Sequence, residues 1–463
     1  MALEDELSVV LLLLAVWITE RGCRRVNASP IIGQIAAGLV VGPALLDVIP
    51  FVEAFRLLGK LGVMILVIES GLSVDLHHVR QFGVRASLAA ATGVFLPTLL
   101  SFALYSGVLG AGWKTALAVG AALSPTSLGF SAQLLGEVGE LTTPIGHLIC
   151  TAAVIDDVLS LLLLAEVDAL GEDDPKAYKY VVPVLASVGS VLVGSLATIF
   201  INSKTERLDA WVVSLNHPRR ERISSLNFPE TPEPGLVVSK SGEVRTGAFE
   251  ESGMMPLDGV VSVGGGAAQP GNSDRPRNGG VGGVESVGLG DRALLAIVLA
   301  FSLLFAYLSA LVGSSDLLGC FMAGLAFSGV PGVQRVWGRQ MKRYSHWGAR
   351  LFFSATVAFS VPSIYKDGGL LRVKPFWKGL ILTAAAVAGK LAVGLFAGPP
   401  LTLSGFYKLG WAMNGRGEFS FFIAEAANEK GILTAEDYSA VVWALLLSSI
   451  AAPIAFRRVL AAD

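Results

Sequence analysis

Long apolar stretches recur along the whole chain, and each is about as long as a membrane is thick. A helix needs roughly 20 mostly apolar residues to cross a bilayer, and fewer if it is broken or packed inside a bundle. Backbone groups in lipid must be paired within a helix or a closed barrel, and these runs lack the alternation of barrel strands. The sequence therefore predicts an all-α, polytopic membrane protein with about 13 transmembrane helices. The predicted spans lie near residues 6–20, 28–43, 57–74, 84–106, 113–135, 144–170, 180–201, 292–313, 315–329, 347–365, 376–398, 406–428 and 435–458.

The composition supports a membrane protein and argues against several other classes. Of the 463 residues, 53% are hydrophobic and only 16% are charged, whereas soluble proteins carry about a quarter charged residues. The formal net charge of −2 gives no sign of nucleic-acid binding. The cysteines and histidines form no metal-binding or catalytic motif, and no phosphate-binding loop precedes a helix. We therefore expect neither an enzyme nor a resident cofactor.

The positive charges between the predicted spans indicate an orientation. Cytoplasmic loops carry an excess of Lys and Arg, and here these residues concentrate in alternate loops. This places the N-terminus outside or in a lumen and the C-terminus in the cytoplasm, which requires an odd number of spans. The residues concerned are Arg21, Arg24, Arg25, Arg80, Arg85, Lys204, Arg207, Arg219, Arg220, Arg222, Arg335, Arg339, Lys342, Arg343, Arg457 and Arg458.

Residues 202–290 differ in composition from the apolar segments on either side. They include PETPEPG and VGGGAAQPGNSDRPRNGGVGGVES, and a segment of this kind cannot bury enough apolar surface to fold alone. We predict a disordered cytoplasmic loop that separates seven helices from six. Both a tolerated insertion and a regulatory segment are compatible with this composition.

Two predicted spans are interrupted in the middle by helix-breaking residues. An offset of seven helices pairs these two spans, as in transporters built from inverted repeats. Proline removes a backbone donor and glycine loosens a helix, and unwound backbone at that depth survives only where it is buried or lines a cavity. We predict two crossing discontinuous helices beside a binding site. The interrupting residues are Ser124, Pro125, Thr126 and Ser127 in the fifth span, and Asn414, Gly415, Arg416 and Gly417 in the twelfth.

The sixth predicted span contains two adjacent carboxylates, Asp156 and Asp157. A central aspartate costs about 2.5–3.5 kcal/mol on insertion scales, so intramembrane acids indicate function. Neighbouring residues on a helix point about 100° apart, so the two acids should have different partners. A carboxylate, the hydroxyls of Thr126 and Ser127 and freed carbonyls suit a hard alkali cation. We predict that a cation and a proton compete for one carboxylate.

Lys390 lies well inside the eleventh predicted span, where a cation needs a counter-charge. We predict an ion pair with Asp156, which leaves Asp157 and Thr126 to bind a transported Na⁺. The alternative is that Lys390 extends its ammonium group to the membrane interface.

Three further charged residues lie within predicted spans. Arg416 is expected to be structural, compensating helix-end dipoles or a nearby acid, with Glu418 as its local partner. For Glu69, a structural hydrogen bond at a domain interface and a proton relay both remain open.

The order of several motifs resembles that of the cation:proton antiporter superfamily, in its sodium/hydrogen exchanger branch, which includes bacterial potassium-efflux antiporters. The resemblance spans nearly the whole chain apart from residues 202–290. It rests on SPIIGQIAAGLVVGP (29–43), LGVMILVIESGLSVDL (61–76), ALSPTS (122–127), Asp156-Asp157, LLGCFMAGLAFSG (317–329), RLFFSATVAFSVP (350–362), Lys390 and NGRGEFSFFIAEAANEKGIL (414–433).

This resemblance implies a homodimer in which a core domain carries the ion and a scaffold domain forms the dimer contact. It implies that Asp157 is the shared ion carrier, whereas Asp156 and Lys390 belong to electrogenic exchange. Potassium-selective relatives often carry Gln in place of the first acid, so Asp156 favours sodium. The implied divisions are scaffold 1–79 and 291–367, core 80–175 and 368–463, linker helix 176–201 and loop 202–290.

The sequence therefore predicts a secondary active antiporter that exchanges Na⁺ for H⁺ by alternating access, electrogenically if Asp156 releases Lys390. The alternatives are a K⁺/H⁺ antiporter of the same fold, a gated cation channel that uses the same acids for selectivity, and a sodium-coupled organic-anion symporter. The long loop suggests a eukaryotic plasma membrane or endomembrane. Expected partners are a monovalent cation, protons and membrane lipid, without nucleic acid and without a nucleotide-binding domain on this chain.

Overall fold

The computed structural model describes residues 3–25, 29–137, 139–171, 178–205, 207, 210, 212, 289–363, 369–398 and 402–461. Regular structure within these ranges is entirely helical, which confirms the predicted fold class. The first half contains α1 (Leu3–Arg25), α2 (Pro30–Val41), α3 (Val52–Leu72), α4 (Leu76–Gly107), α5 (Trp113–Ala122), α6 (Leu128–Glu137), α7 (Pro144–Leu170) and α8 (Tyr178–Asn202). The second half contains α9 (Leu289–Leu311), α10 (Asp316–Ala326), α11 (Pro331–Gln340), α12 (Lys342–Leu351), a π-helix (Phe352–Val357), α13 (Ala358–Ser360), α14 (Val373–Leu391), a 3₁₀-helix (Ala392–Phe396), α15 (Leu403–Ala412), α16 (Glu418–Glu429) and α17 (Ala435–Ala461).

Several described helices have the length and composition of membrane spans. Six are long and apolar enough to cross a membrane without interruption, and α2 and α10 are shorter apolar helices. The chain is therefore an integral membrane protein. A total of thirteen spans stays a prediction. The six long spans are Leu76–Gly107, Pro144–Leu170, Val181–Asn202, Leu289–Leu311, Val373–Phe396 and Ala435–Leu460.

Local sequence signals begin two of the helices that surround the buried charges, α4 and α7. The side chain of Asp75 accepts a hydrogen bond from His77 N at 2.8 Å and caps α4. The hydroxyl of Thr143 accepts one from Gly146 N at 3.2 Å and caps α7, whose first residue is Pro144. Proline suits this position because the first N–H of a helix has no partner within it.

The connection before the tenth predicted span is helical, which the sequence argument missed. Residues 331–340 form α11, and α12 begins at Lys342 rather than near residue 347. Pro331 opens α11, and Trp337 lies on its buried face. A search for long apolar runs does not find a short helix with a single apolar face.

The predicted loop at 202–290 begins and ends close to helices. α8 ends at Asn202, and α9 begins at Leu289. Residues 213–288 lie outside the described residues, so the disorder of this loop stays a prediction.

Two groups of helices pack closely, and glycine allows the close approach within each. α3 packs on α10 and α12, while α4 packs on α7 and α14, and α14 packs on α17. Gly62 on α3 meets Gly348 on α12 backbone to backbone, and Gly389 on α14 lies against Pro97 on α4. A Cβ at these positions would collide with the facing backbone. Glycine therefore allows the helices of each group to pack at short distance.

Candidate ion-binding site

The two interrupted helices cross, and their interruptions bind each other. α5 and α6 are separated by residues 123–127, and α15 and α16 are separated by residues 413–417. The backbone N–H of Ser127 donates to Gly415 O at 2.9 Å. The hydroxyl of Thr126 donates to Met413 O at 3.1 Å. Each break therefore satisfies polar groups that the other exposes, which lets both persist in the interior.

Arg416 binds the carbonyl groups left at the end of α5. It is fully buried, and its Nη1 lies 3.2 Å from both Ser124 O and Pro125 O. Carbonyls at a helix C-terminus carry partial negative charge, so a guanidinium is favourable there. The predicted pairing of Arg416 with Glu418 is not among the described contacts, because the guanidinium is turned toward these carbonyls. Glu418 instead begins α16, where an acid is favourable.

Glycine lets the second break approach the first. A Cβ at Gly415 would overlap the ring of Phe130 on α6. A Cβ at Gly417 would collide with the side chain of Ser127. The N-G-R-G sequence therefore combines two close approaches with one charge for the facing carbonyls.

Asp156 lies in a closed network with Lys390 and Thr126. Lys390 Nζ is 2.8 Å from Asp156 Oδ1, and both side chains are fully buried. Thr126 N donates to Asp156 Oδ2 at 2.5 Å, and Lys390 Nζ also donates to Thr126 Oγ1 at 2.5 Å. Gly93 on α4 leaves room, because a Cβ there would lie 3.3 Å from Lys390 Nζ. Both oxygens of Asp156 are thus hydrogen-bonded. The ammonium group of Lys390 is paired inside the protein and does not extend to the membrane interface.

Asp157 has a much sparser environment than its neighbour. It is 1% exposed, and its Oδ2 accepts a hydrogen bond from Ser70 Oγ on α3 at 3.3 Å. Its Oδ1 is buried and has no hydrogen-bond partner among the described residues. A buried carboxylate oxygen without a donor is costly, so this atom is the strongest candidate for a cation or a proton.

Further buried oxygens without described partners occur in the second break and on α7. Asn414 donates through Nδ2 to Gly410 O at 2.9 Å, which leaves its Oδ1 unpartnered. The hydroxyl of Ser160, one turn beyond Asp156 on α7, also lacks a partner. Neutral oxygens of this type are suitable ligands for an alkali cation. The sequence argument named Asn414 only as a helix breaker and did not name Ser160.

Thr126 and Ser127 are both at the crossing, but their hydroxyl groups are engaged elsewhere. The Thr126 hydroxyl is bonded to Lys390 and Met413, so it belongs to the Asp156 network rather than to Asp157 in this conformation. The Ser127 hydroxyl accepts from Phe130 N at 3.3 Å and caps α6. The Lys390 ammonium at Thr126 and a backbone N–H at the start of α6 at Ser127 therefore compete with an ion for these oxygens.

Glu69 lies on α3 directly before Ser70. It is half-buried, and its Oε2 has no hydrogen-bond partner among the described residues. Glu69 therefore lies next to the residue that contacts Asp157. Both a proton relay and a structural hydrogen bond at the domain interface are compatible with this position.

α16 also carries a buried acid, Glu425, for which the sequence indicated no partner. Glu425 is 2% exposed, and it accepts hydrogen bonds from Ser360 Oγ at 2.6 Å and Tyr438 OH at 2.7 Å. Ser70 was missed in the same way. Serine and tyrosine in apolar helices are common, so only the tertiary contact identifies these residues.

Comparison with known proteins agrees with this arrangement. A family model described as the transmembrane region of sodium/hydrogen exchangers matches residues 9–216 and 291–462. The Na⁺/H⁺-K⁺ antiporter GerN of Bacillus cereus is 24% identical over 465 residues, covering 98% of this chain and 95% of GerN. The high-affinity Na⁺/H⁺ antiporter NhaS3 of Synechocystis is 27% identical over 241 residues, covering 44% of this chain and 52% of NhaS3.

A solved structure shows the same fold. The sodium proton antiporter MjNhaP1 of Methanocaldococcus jannaschii, at pH 8, superimposes with a TM-score of 0.62 at 14% identity, covering 99% of both chains. The family match covers both halves of the chain and all the buried charges described above. The chain therefore belongs to the sodium/hydrogen exchanger family, within the cation:proton antiporter superfamily.

Proposed function

We propose that this protein exchanges Na⁺ for H⁺ across a membrane by alternating access, with Asp157 as the shared ion carrier. The observation that carries this proposal is the free Oδ1 of Asp157, which is buried beside the helix crossing. A carboxylate in this position gains a partner from either ion, and the two ions cannot both occupy it. The names of NhaS3 and GerN support sodium, and that of GerN keeps potassium as the second candidate.

The cation site is proposed to form around ionised Asp157. Two buried neutral oxygens without described partners are available, Asn414 Oδ1 in the second break and Ser160 Oγ on α7. Thr126 joins them only when Lys390 gives up its hydrogen bond to the threonine hydroxyl. Protonation of Asp157 from the opposite side then releases the cation.

The movement is proposed to take place between a core domain and a scaffold domain. The core comprises 80–175 and 368–463, the scaffold 1–79 and 291–367, and 176–201 links them. Several described polar contacts cross this boundary and would have to break in each cycle. They include the hydrogen bond from Ser70 to Asp157 and the ion pair between Lys60 Nζ and Glu429 Oε1 at 2.6 Å. The hydrogen bonds from Ser360 Oγ to Glu425 at 2.6 Å and from Tyr438 OH to Val357 O at 3.1 Å cross it as well.

The pairing of Asp156 with Lys390 bears on the charge moved per cycle. If the pair opens during exchange, Lys390 can lose its proton while Asp156 stays ionised, and a second proton then moves with the first. Net charge would cross the membrane in that case. We propose this electrogenic cycle because the ammonium group is fully buried and is paired with Asp156 alone among the described acids.

We further propose a homodimer formed through the scaffold, with the N-terminus outside or lumenal and the C-terminus cytoplasmic. The arginine-rich helix ends support this orientation. Labelling of single cysteines introduced at residues 80 and 113 from either side of sealed vesicles tests it. Labelling of residue 80 from the outer side, or labelling of both residues from the same side, contradicts it.

Flux through purified protein in liposomes tests the function. An imposed pH gradient should collapse on addition of Na⁺ and more slowly, or not at all, on addition of K⁺. Li⁺ is added in parallel as a smaller competitor. A gated cation channel would instead carry voltage-driven Na⁺ flux without counter-movement of protons, and that result would overturn antiport.

A further inference from the structure

An arginine-lined cavity lies at the C-terminal end of α1, on helices that carry none of the ion-site residues. Its volume is about 550 Å³. Four guanidinium groups face one carboxylate there, so the lining has a net charge of +3. The lining residues are Trp17, Glu20, Arg21, Arg24, Arg25 and Arg350.

The single acid of this cavity is used to build it. Glu20 is 4% exposed, and it accepts hydrogen bonds from Arg24 Nη2 at 2.9 Å, Arg350 Nε at 2.7 Å and Gln34 Nε2 at 3.1 Å. Charge-assisted bonds of this kind fix the orientation of a guanidinium. Glu20 therefore holds two arginines in place beneath the cavity and has little capacity left to neutralise the others.

Arg21 and Arg25 are the arginines available to a ligand. Both are exposed, and neither has an acidic partner among the described residues. The guanidinium of Arg21 lies 5.3 Å from the centre of the Trp17 ring, which restricts its position. The cavity thus presents positioned cations, and the ligand that fits them is an anion.

The surface that leads to these arginines is apolar. Leu7, Leu11, Leu14 and Ile18 recur at spacings of three and four along α1, and they are 46–58% exposed. The same spacing continues to Arg21 and Arg25, so all six residues share one face of the helix. Trp17 is 45% exposed at the change from apolar to basic residues, which is the depth at which tryptophan is enriched in membranes.

We propose that the cavity binds the headgroup of an anionic phospholipid. The phosphate would lie against Arg21, Arg24 and Arg25, and an acyl chain would follow the apolar face of α1. Basic pockets between membrane helices are suited to such headgroups. The net charge of +3 in the lining favours a phosphate as its occupant, and a second copy of the chain is an outcome of the test below.

Lipid binding to the purified full-length chain tests this proposal. Phosphatidylglycerol and phosphatidylcholine with identical acyl chains are titrated separately, with native mass spectrometry and thermal unfolding as readouts. One phosphatidylglycerol should remain bound per protomer and should raise the unfolding midpoint, whereas phosphatidylcholine should do neither. Phosphatidylglycerol binding should weaken as salt is added, because exposed charges are screened.

Charge-matched variants locate the site. Arg21→Gln with Arg25→Gln should weaken phosphatidylglycerol binding about thirtyfold, and Arg25→Gln alone about fivefold, since each arginine near a membrane surface contributes a similar increment. Neither residue bonds to Glu20, so the arrangement beneath the cavity stays intact. Arg80→Gln with Arg458→Gln removes the same charge from two other exposed arginines, and it should bind like the unmodified chain.

Several outcomes would overturn the proposal. Equal retention of the two lipids, or unchanged binding in both the single and the double cavity variants, excludes a headgroup site here. Equal competition by soluble glycerol phosphate assigns the cavity to free phosphates instead. A dimer whose formation is blocked by Arg21→Gln with Arg25→Gln in the absence of lipid assigns it to a second copy.

Discussion

Asp156 and Asp157 are neighbours on one helix and are both buried, yet they differ in their hydrogen-bond partners. Both oxygens of Asp156 are bonded, one to the Lys390 ammonium at 2.8 Å and one to Thr126 N at 2.5 Å. Asp157 has one contact, from Ser70 at 3.3 Å, and an oxygen with no described partner. A rotation of about 100° between neighbours is enough to send them to different surroundings.

This difference indicates that one carboxylate stabilises the site and that the other is available to the exchanged ions. A carboxylate with two strong partners resists both a cation and a proton, because either must displace a bond already made. A carboxylate with one unpartnered oxygen can accept either ion. We therefore propose that exchange takes place at Asp157 and that Asp156 maintains the stability and charge balance of the crossing.

The largest expected effect comes from removing one carboxylate at a time. Asp157→Asn should reduce Na⁺-dependent collapse of a pH gradient in liposomes to background, because neither ion retains its ligand. Asp156→Asn should still exchange, but with fewer charges moved per Na⁺, measured as the voltage dependence of the same flux. Undiminished exchange in Asp157→Asn, or unchanged charge stoichiometry in Asp156→Asn, would remove the distinction drawn here.

The next effect is on stability, through the cation that pairs with Asp156. Lys390→Met should lower the free energy of unfolding by about 3–5 kcal/mol, because it leaves a buried carboxylate unpaired. Combining it with Asp156→Asn should restore most of that loss, since no uncompensated charge remains. Thermal unfolding in detergent measures both. If the double variant is no more stable than Lys390→Met, the ion pair is not what stabilises this region.

Replacing Arg416 should lower the free energy of unfolding less than replacing Lys390 does, and a second substitution at Asp156 should have a different effect. Arg416→Met should cost about 1–3 kcal/mol, because the carbonyls of Ser124 and Pro125 lose their donor. Asp156→Asn should not restore stability in this background, since the partners of Arg416 are carbonyls. Arg416→Lys, which retains a donor and a charge, serves as the conservative control in the same unfolding experiment. Rescue by Asp156→Asn would show that Arg416 acts mainly on the acid.

The smallest effect concerns the single bond to Asp157. Ser70→Ala should raise the Na⁺ concentration for half-maximal exchange about 2–10-fold at fixed pH, because the ionised carboxylate loses its only described donor and the proton competes better. Ser73→Ala is the matched control, since that exposed hydroxyl bonds only to carbonyls of its own helix. Equal affinities in the two variants would mean that the Ser70 contact does not act on the ion.

Much of the fold was predictable because its signals are local. The apolar runs, the proline in A-L-S-P-T-S and the glycines of N-G-R-G mark most helices and both interruptions within a few residues of where the structure has them, although α4 begins at Leu76, eight residues before the predicted span. Lys390 and Asp156 were predictable for a related reason. A buried cation needs an acid, and few acids occur in the apolar spans.

The contacts of the site were less predictable. From the sequence, we expected Thr126 to bind the ion and Glu418 to pair with Arg416. In the structure, the Thr126 hydroxyl accepts a hydrogen bond from Lys390, and the Arg416 guanidinium donates to two carbonyls. Carbonyl groups are present at every position, so a sequence cannot show which of them face a given side chain. The contact between Ser70 and Asp157 likewise depends on how α3 lies beside α7, which the sequence does not show.

The sequence by itself determined that this chain enters a membrane as helices, that two of them break in the middle, and that buried charges gather near the breaks. These outcomes depend on the transfer of residues from water to lipid and on the backbone limits of proline and glycine. Only the tertiary structure decided which acid is paired and which is open, because that depends on how helices far apart in sequence are rotated and packed against α7.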